Sequence, residues 1–377
     1  MNEDKAVRYN RLKRRAAAAS LVASAVLLVG LAASGAAAAL AGAVRALVAA
    51  AGVPPALAPA AVVAGFVVAL AALEEIVTLP IAWHRGFVLE RRYGLSRETP
   101  AGWLRDHARA WLLGTALGVI LAEAVYAAIH LWPSYWWVAA AGAALAGSAL
   151  LTHLLPVAIL PLFYPVRRLE RPELAARLLA LARAAGIEAV GVYEWGLGGK
   201  TRRANAALVG LGRTRRILLS DTLLAEYPED EIEVVFAHEL GHHVRGDIRG
   251  ALAFEGVALL AAAFAADLAL RWLGPRAGVQ HAGDVAGLPL LLLGAGAASI
   301  LLVPMANALS RRNERGADRY ALELTGRPAA FASAIRRLAD QNLADPRPSR
   351  LVELFFHTHP PLEERLQVAA AWPAAAR

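Results

Sequence analysis

Long uncharged stretches constrain the fold of this chain more than any other feature. The first, residues 16–44, carries no charge and exceeds the roughly 20 residues that a helix needs to cross a bilayer's hydrocarbon core. Five further apolar stretches cover residues 60–80, 110–128, 132–162, 251–270 and 285–310. A hydrophobic share of 58% and a mean hydropathy of +0.45 fit this pattern. We therefore predict a mainly α-helical protein with six membrane spans, and the longest stretches have room for a seventh.

The distribution of basic residues predicts the orientation of these spans. Six basic residues precede the first stretch: Lys5, Arg8, Arg11, Lys13, Arg14 and Arg15. The segment 85–109 contains six arginines, whereas the alternate loops contain few. The positive-inside rule therefore places the N-terminus and the later polar segments in the cytoplasm of a multi-pass protein of the plasma (inner) membrane. A secretory signal would also fit the basic start, but the further spans argue against it.

The net charge of +8 does not indicate nucleic acid as a partner, because the basic residues gather at the ends of apolar stretches. Membrane lipids are the expected partners of such residues. Ionisable residues within the spans are costly in lipid, and as a set they favour a polar cavity inside the bundle. They are Glu74, Glu75, Glu123, His153, Glu255 and Asp267.

Composition divides the chain into four parts. They are an N-terminal transmembrane region of about four spans (1–164), a cytoplasmic catalytic part (165–250), two further spans (251–310) and a C-terminal cytoplasmic part (311–377). In the second part, "RPELAARLLALARAAGI" predicts a helix and "EAVGVYEWG" a strand. "NAALVGLG" and "ILLSD" predict two strands joined by a polar turn, and a helix follows from about Asp230. We predict an α+β domain attached to a membrane bundle.

The pattern H-E-x-x-H on this last helix predicts a metal centre. His238 and His242 are four residues apart and share one face of the helix, so that both imidazoles can bind one zinc ion. Glu239 points toward the same pocket and is a candidate general base. The chain contains no cysteine, and a catalytic zinc site takes three protein ligands, so the third ligand is sought among histidines and carboxylates.

Candidates for the third ligand follow the last span in "SRRNERGADRYALEL". Glu314 and Asp318 are four residues apart on a predicted helix, so one can coordinate zinc while the other orients a ligand imidazole. His243 lies about a quarter turn from His242, and we expect a structural role for it. Gly241 is costly inside a helix, which predicts that another backbone or the substrate approaches closely there.

Six sequence motifs together resemble the type I CAAX prenyl endopeptidase family of integral-membrane zinc metalloproteases. They are "AHELGHH", "RRNERGAD", "RGFVLERRYGLSRET", "GGKTRRANAALVGLG", "ILLSDTLL" and "HTHPPLEERL", in the family's order. The resemblance implies a helical barrel around a large intramembrane chamber, with a zincin-type protease domain at its cytoplasmic end. It also implies one zinc ion per chain, held by His238, His242 and Glu314, with Glu239 activating the attacking water.

The same resemblance implies the residues that bind substrate and stabilise the transition state. Asn205 matches an asparagine beside a substrate-binding edge strand, His359 a histidine that faces the scissile peptide, and Arg365 the arginine that follows it. The predicted edge from Ala206 to Gly212, which includes Leu208, would hold a peptide by backbone hydrogen bonds, with little dependence on side chains.

The expected function is hydrolysis of peptide bonds in membrane-associated or prenylated proteins. The substrates of such an enzyme are peptides or proteins, with or without a lipid. An alternative within the same chemistry is a quality-control protease of the heat-shock-associated membrane type, which has no prenyl requirement. A third interpretation is a transporter or channel with a structural metal. That interpretation needs a closed site of four ligands, whereas the sequence supplies three.

Overall fold

The computed structural model describes residues 3–154, 158–210 and 214–373. In chain order its elements are α1 (Glu3–Ala33), α2 (Ala36–Ala50), α3 (Ala58–Trp83), a π-helical turn (His84–Val88), α4 (Leu89–Arg92), α5 (Pro100–Leu131), α6 (Trp136–Leu154), β1 (Val166–Arg168), α7 (Pro172–Ala184), β2 (Gly191–Trp195), β3 (Ala206–Val209), β4 (Arg216–Ser220), α8 (Asp221–Glu226), α9 (Glu229–Val244), α10 (Asp247–Leu273), α11 (Leu288–Thr325), α12 (Pro328–Gln341), α13 (Arg350–Phe356) and α14 (Leu362–Ala370). The predicted mainly helical fold with a small α+β part is confirmed.

Apolar helices form the membrane part. Within the described residues, five helices are long and apolar enough to cross a membrane, and two shorter apolar helices accompany them, at Ala36–Ala50 and Trp136–Thr152. The first uncharged stretch, residues 16–44, belongs to two helices, because the chain breaks at Ser34 and Gly35, and the longest stretches were predicted to have room for such an additional helix. Gly35 has a φ of 77°, a backbone conformation that glycine adopts without steric cost, so the turn ends α1 inside an uncharged stretch.

Three of the six ionisable residues predicted in the spans pair with other side chains, and the cavity between the spans is mainly apolar, so the expected polar cavity is not supported. Glu74 accepts a hydrogen bond from Ser24, and the Glu75 carboxylate lies 2.7 Å from His107 Nε2. Asp267 accepts hydrogen bonds from Trp136 Nε1 at 2.8 Å and pairs with Arg271 at 2.7 Å. The bundle encloses a cavity of ≈ 550 Å³ whose described lining is apolar apart from Glu74. The side chain of His153 lies outside the described part of the structure.

A four-stranded sheet organises the soluble part, in the order β1-β2-β4-β3. β2 and β4 are parallel, whereas β1 and β3 pair antiparallel with their neighbours and form the two edges. The strands predicted from "EAVGVYEWG", "NAALVGLG" and "ILLSD" are therefore confirmed. β3 is an edge strand, as expected. It is described as far as Val209, and residues 211–213 at the end of the predicted edge lie outside the described residues.

α11 joins the membrane part to the soluble part without a break. It starts among apolar residues and continues to Thr325, so the predicted boundary between spans and C-terminal part falls inside one helix. Its last turns pack against α9 at Gly241, where an added Cβ would lie 2.9 Å from the Cα of Ala317. The predicted close approach at Gly241 is thus made by the backbone of α11. This contact lets side chains of α11 reach those of the H-E-x-x-H turn.

Candidate metal centre and active site

α9 lies at the centre of the soluble part, which fixes the position of the H-E-x-x-H turn. Acidic residues occupy its first turn, where they interact favourably with the helix dipole. Two of its buried carboxylates are paired: Glu231 with Arg337 at 3.0 Å, and Glu233 with Arg327 at 2.7 Å. The helix is therefore held on its polar side by ion pairs and on its apolar side by the core around Phe236.

Three side chains from α9 and α11 converge beside Gly241. His238 Nε2 lies 3.2 Å from Glu314 Oε2, and His242 Nε2 lies 3.5 Å from Glu314 Oε1. One ligand atom from each of the three residues lies within 4.8 Å of the other two. The structure thus brings together the two predicted imidazoles and the carboxylate that comes some 75 residues later. Of the two candidate carboxylates, Glu314 is the one that faces both Nε2 atoms.

This group fits a metal ion. Tetrahedral ligands about 2.1 Å from zinc are about 3.4 Å apart, close to the observed separations. Glu314 Oε2 is buried, and no residue in the described part of the chain donates a hydrogen bond to it. Burial alone would lower the pKa of His238, but its contacts with Asp318 and Glu314 raise that pKa to about 9. The pocket therefore favours positive charge at the point where the ligand atoms meet.

A carboxylate contacts the far nitrogen of each imidazole. His238 Nδ1 lies 2.9 Å from Asp318 Oδ1, and His242 Nδ1 lies 2.9 Å from Asp247 Oδ2. The His242 contact is a hydrogen bond, whereas His238 Nδ1 lies close to Asp318 without hydrogen-bond geometry. A proton on Nδ1 beside its carboxylate would leave the lone pair of each ring on Nε2, the nitrogen near Glu314. Asp318 was among the predicted residues, whereas Asp247 was missed. The sequence feature that could have predicted Asp247 is an acidic residue directly after Gly246, the glycine between the motif helix and α10.

Arg365 contacts Asp318 through two nitrogens. Its Nε and Nη2 atoms donate to the two carboxylate oxygens at 2.8 and 2.6 Å, a bidentate geometry. The arginine also lines the cavity beside His238, Glu239 and His359. Two donor nitrogens of Arg365 thus bind Asp318, the residue that contacts His238. In the described structure only Nη1 of the guanidinium is not engaged by Asp318.

A cavity of ≈ 720 Å³ opens beside these residues and is lined by Asn205, Ala206, Glu239 and His359, among others. Burial raises the pKa of the Glu239 carboxyl, as suits a group that must take up and return a proton. His359 Nε2 lies 3.3 Å from Glu314 Oε1, and its Nδ1 lies 2.9 Å from the Thr358 hydroxyl. Asn205, Ala206, His359 and Arg365 of the predicted residues therefore line one cavity with the predicted base, whereas Leu208 is not part of its lining.

The edge strand β3 reaches this cavity at its first residue, Ala206. The carbonyl of Asn205 accepts a hydrogen bond from Ser220 N at 2.9 Å, so the alternation of an antiparallel ladder turns the backbone groups of Ala206 and Leu208 outward. His243 Nε2 donates to the Leu208 carbonyl at 3.0 Å, and burial lowers the pKa of this histidine. This hydrogen bond from His243 links the motif helix α9 to the edge strand β3, which is a structural role of the kind predicted for this residue.

Two family matches cover almost the whole chain. Residues 2–165 match the family described as "CAAX prenyl protease N-terminal, five membrane helices", and residues 168–373 match "Peptidase family M48". The chain belongs to peptidase family M48. The expected resemblance to CAAX prenyl proteases is confirmed. In the described part of residues 2–165, α1, α3 and α5 are long enough to cross a membrane, and α2 and α6 are shorter apolar helices.

Individual M48 relatives extend this comparison. The "Uncharacterized metalloprotease YhfN" of Bacillus subtilis (strain 168) is 32% identical over 309 residues, which cover 81% of this chain and 72% of that protein. "Probable CAAX prenyl protease 1" of Schizosaccharomyces pombe is 26% identical over 306 residues, 80% of this chain and 64% of that protein. The crystal structure of S. mikatae Ste24p has the same fold, with a TM-score of 0.76 at 23% identity over 83% of this chain and 76% of that chain.

Membership of M48 establishes the general activity, and the N-terminal family match establishes the membrane helices. The protein is a metalloendopeptidase, its substrates are peptides or proteins, and it is a multi-pass integral membrane protein. The family implies a metal, and the group formed by His238, His242 and Glu314 is able to hold one.

Proposed function

We propose that this M48 protein is a zinc endopeptidase that cuts membrane-associated or prenylated proteins at an active site on the cytoplasmic side of the plasma (inner) membrane. The convergence of His238, His242 and Glu314 on one point, with Glu239 in the adjoining cavity, supports this proposal most strongly. Two nitrogen ligands and one oxygen ligand suit zinc and leave a position for water.

Zinc at this position supplies a Lewis acid that polarises the scissile carbonyl and lowers the pKa of the attacking water. Glu239 accepts the proton of that water and returns it to the leaving amine, which requires a carboxyl of raised pKa near the reacting atoms. Asp247 holds His242 by a hydrogen bond in the tautomer that presents Nε2, and the charge of Asp318, 2.9 Å from His238 Nδ1, favours the same tautomer of His238.

Neighbouring donors stabilise the negative charge that develops on the carbonyl oxygen. The Thr358 hydroxyl and His359 Nδ1 share a hydrogen bond; in the tautomer in which the hydroxyl donates, the neutral ring carries its proton on Nε2, beside Glu314. The His359 side chain is 59% exposed and lines the cavity, so its ring is accessible to a substrate bound there. The Asn205 side chain is exposed toward the cavity and supplies a second donor. Arg365 acts mainly through Asp318, because its Nε and Nη2 atoms are engaged there.

The substrate binds as an extra strand along β3. The outward backbone groups of Ala206 and the outward N–H of Leu208 give affinity that depends little on the side chains of the peptide. Specificity then comes from how a substrate is presented, and attachment to the membrane would concentrate it at the cavity. Both a prenylated protein and a membrane protein without a prenyl group satisfy this requirement.

Glu239→Gln tests the chemistry most directly. We expect the purified variant to keep its zinc and to lose cleavage by at least about 100-fold, since the amide cannot accept the water's proton. Products of an unmodified peptide are measured by mass spectrometry, with and without a chelator. Glu188→Gln is the matched control, because Glu188 is an exposed glutamate that is not among the residues lining the cavity. Near-normal cleavage by Glu239→Gln would contradict the assignment.

Paired peptides separate the two substrate classes. A farnesylated peptide and an unmodified peptide of the same sequence are incubated with the wild-type protein in bilayers. Strong preference for the farnesylated peptide supports a prenyl-dependent protease. Equal cleavage of both supports the quality-control alternative, in which no prenyl group is recognised.

A further inference from the structure

The short helix α13 (Arg350–Phe356) exposes an unusual apolar surface for a soluble segment. Leu351 is 71% exposed, and Leu354, Phe355 and Phe356 are also exposed. Residues 351, 354 and 355 have the i, i+3, i+4 spacing that places them on one face of a helix. A contiguous apolar patch of this kind marks a contact with a protein, a ligand or a membrane.

The position of α13 along α11 favours the membrane. α11 begins with 22 uncharged residues, 288–309, which extend about 33 Å as a helix and match the hydrocarbon thickness of a bilayer. Asn307 Nδ2 donates to the Leu354 carbonyl at 3.0 Å, and Arg311 Nη1 donates to the His357 carbonyl at 2.7 Å. These contacts fix α13 at the level where the apolar part of α11 ends.

Charge and position together fit a helix at a membrane surface. Arg350 starts α13 and is exposed, and Arg311, which is buried, also pairs with Glu353 at 3.3 Å on the opposite side from Leu351 and Phe355. An apolar face with polar groups behind it and a basic residue at one end is the pattern of a segment that lies in the plane of a bilayer surface.

The same segment borders the catalytic cavity. Phe356 and the residues directly after it, His357, Thr358 and His359, line the cavity that contains Glu239. One side of this short stretch of chain therefore faces the proposed active site, while the face formed by Leu351 and Phe355 points away from it.

We infer that α13 lies in the bilayer surface on the side of the soluble part, with Leu351, Leu354 and Phe355 in contact with lipid. The helix thereby holds one border of the catalytic cavity at the membrane surface. A substrate segment anchored in the bilayer reaches the cavity across this border. The last step rests on the proposed function, whereas the contact with lipid does not.

Spin-label depth measurements test the contact with lipid. The chain has no cysteine, so the single substitutions Leu351→Cys and Phe355→Cys can be labelled without background. Leu301→Cys on α11, 78% exposed within the apolar stretch, is the reference in lipid, and Arg336→Cys, exposed on α12, is the reference in water. The full-length variants are reconstituted in lipid nanodiscs, and collisions with oxygen and with a water-soluble nickel complex are compared.

Labels at 351 and 355 are expected to favour oxygen over nickel as the label at 301 does, and far more than the label at 336. Accessibility equal to that at 336 would overturn the inference. Spin–spin broadening between labels at 351 would also overturn it, because that result would mean that a second copy of the chain covers this face.

A turnover experiment tests the consequence for substrates. The double variant Leu351→Glu, Phe355→Glu is compared with Leu351→Ile, Phe355→Leu on one peptide with and without a lipid anchor. The charged pair is expected to slow cleavage of the anchored peptide several-fold and to leave cleavage of the free peptide unchanged. Equal slowing of both peptides would contradict the role in substrate approach. If wild type cleaves neither peptide, the proposed function fails, while the depth measurement still decides the lipid contact.

Discussion

The two imidazoles of the proposed metal site, those of His238 and His242, each lie beside a carboxylate but in different surroundings, and only that of His242 is hydrogen-bonded to it. Each Nδ1 lies 2.9 Å from a carboxylate, Asp318 for His238 and Asp247 for His242. The side chain of Asp318 is 4% exposed and is held by the bidentate contact with Arg365, whereas that of Asp247 is 11% exposed and its nearest cation, Arg245, is 3.8 Å away.

The difference follows from where the two carboxylates lie in the chain. Asp318 is one helical turn beyond Glu314 on α11, so a single rigid helix supplies both a ligand and the partner of another ligand. Asp247 begins α10 directly after Gly246. This glycine has a φ of 70° and forms the turn between α9 and α10. The first support is built into a helix–helix contact, and the second depends on a local turn.

Asp318→Asn is expected to have the largest effect on this comparison. The substitution removes the charge that orients His238 and leaves Arg365 without its partner in a buried position. We expect metal affinity to fall roughly 100-fold, the upper end for such partners. Competition with a chelator of known affinity measures the loss. Unchanged zinc affinity would show that His238 does not need this carboxylate.

Asp247→Asn is expected to have a smaller effect of the same kind. Its carboxylate is nearer to solvent, so water can replace part of its contact with His242, and we expect a loss of roughly 10-fold in metal affinity. The same chelator competition gives the value, with Glu188→Gln as the control. A loss equal to or larger than that of Asp318→Asn would reverse the proposed order of the two supports.

Arg365→Gln is expected to have the smallest effect on the metal, and it also decides how this arginine acts. If Arg365 works through Asp318, metal affinity falls several-fold and cleavage at saturating zinc stays close to that of wild type. Steady-state cleavage is therefore measured over a series of free zinc concentrations. Full metal affinity with a low rate at saturating zinc would instead indicate a direct role in stabilising the transition state.

The sequence predicted the parts of this arrangement that follow from local periodicity. The spacing of His238 and His242 fixes a shared helical face, and Gly241 signalled the close approach of a second backbone. Spacing alone left Glu314 and Asp318 interchangeable, because both lie on the same face of α11, and the packing of α9 against α11 distinguishes them. Asp247 was missed because its approach to His242 depends on the turn at Gly246, which has no periodic signal.

In the membrane part, composition predicted the spans but not their internal contacts. The separation of α1 from α2 occurs at Ser34 and Gly35, within a stretch that contains no charge or proline to mark an end. The pairing of Glu75 with His107 joins two different spans and depends on their packing. Hydropathy is therefore informative about which residues enter lipid and uninformative about how polar groups inside the bundle are satisfied.

Zinc content is the most direct test of the central claim, that Glu314 completes a metal site with His238 and His242. Zinc per chain is measured by elemental mass spectrometry on purified wild type, Glu188→Gln and Glu314→Gln, with folding checked by circular dichroism. Wild type and Glu188→Gln are expected to hold one zinc ion per chain, and folded Glu314→Gln far less. Wild-type zinc content in Glu314→Gln, or no bound zinc in the wild type, would contradict the account.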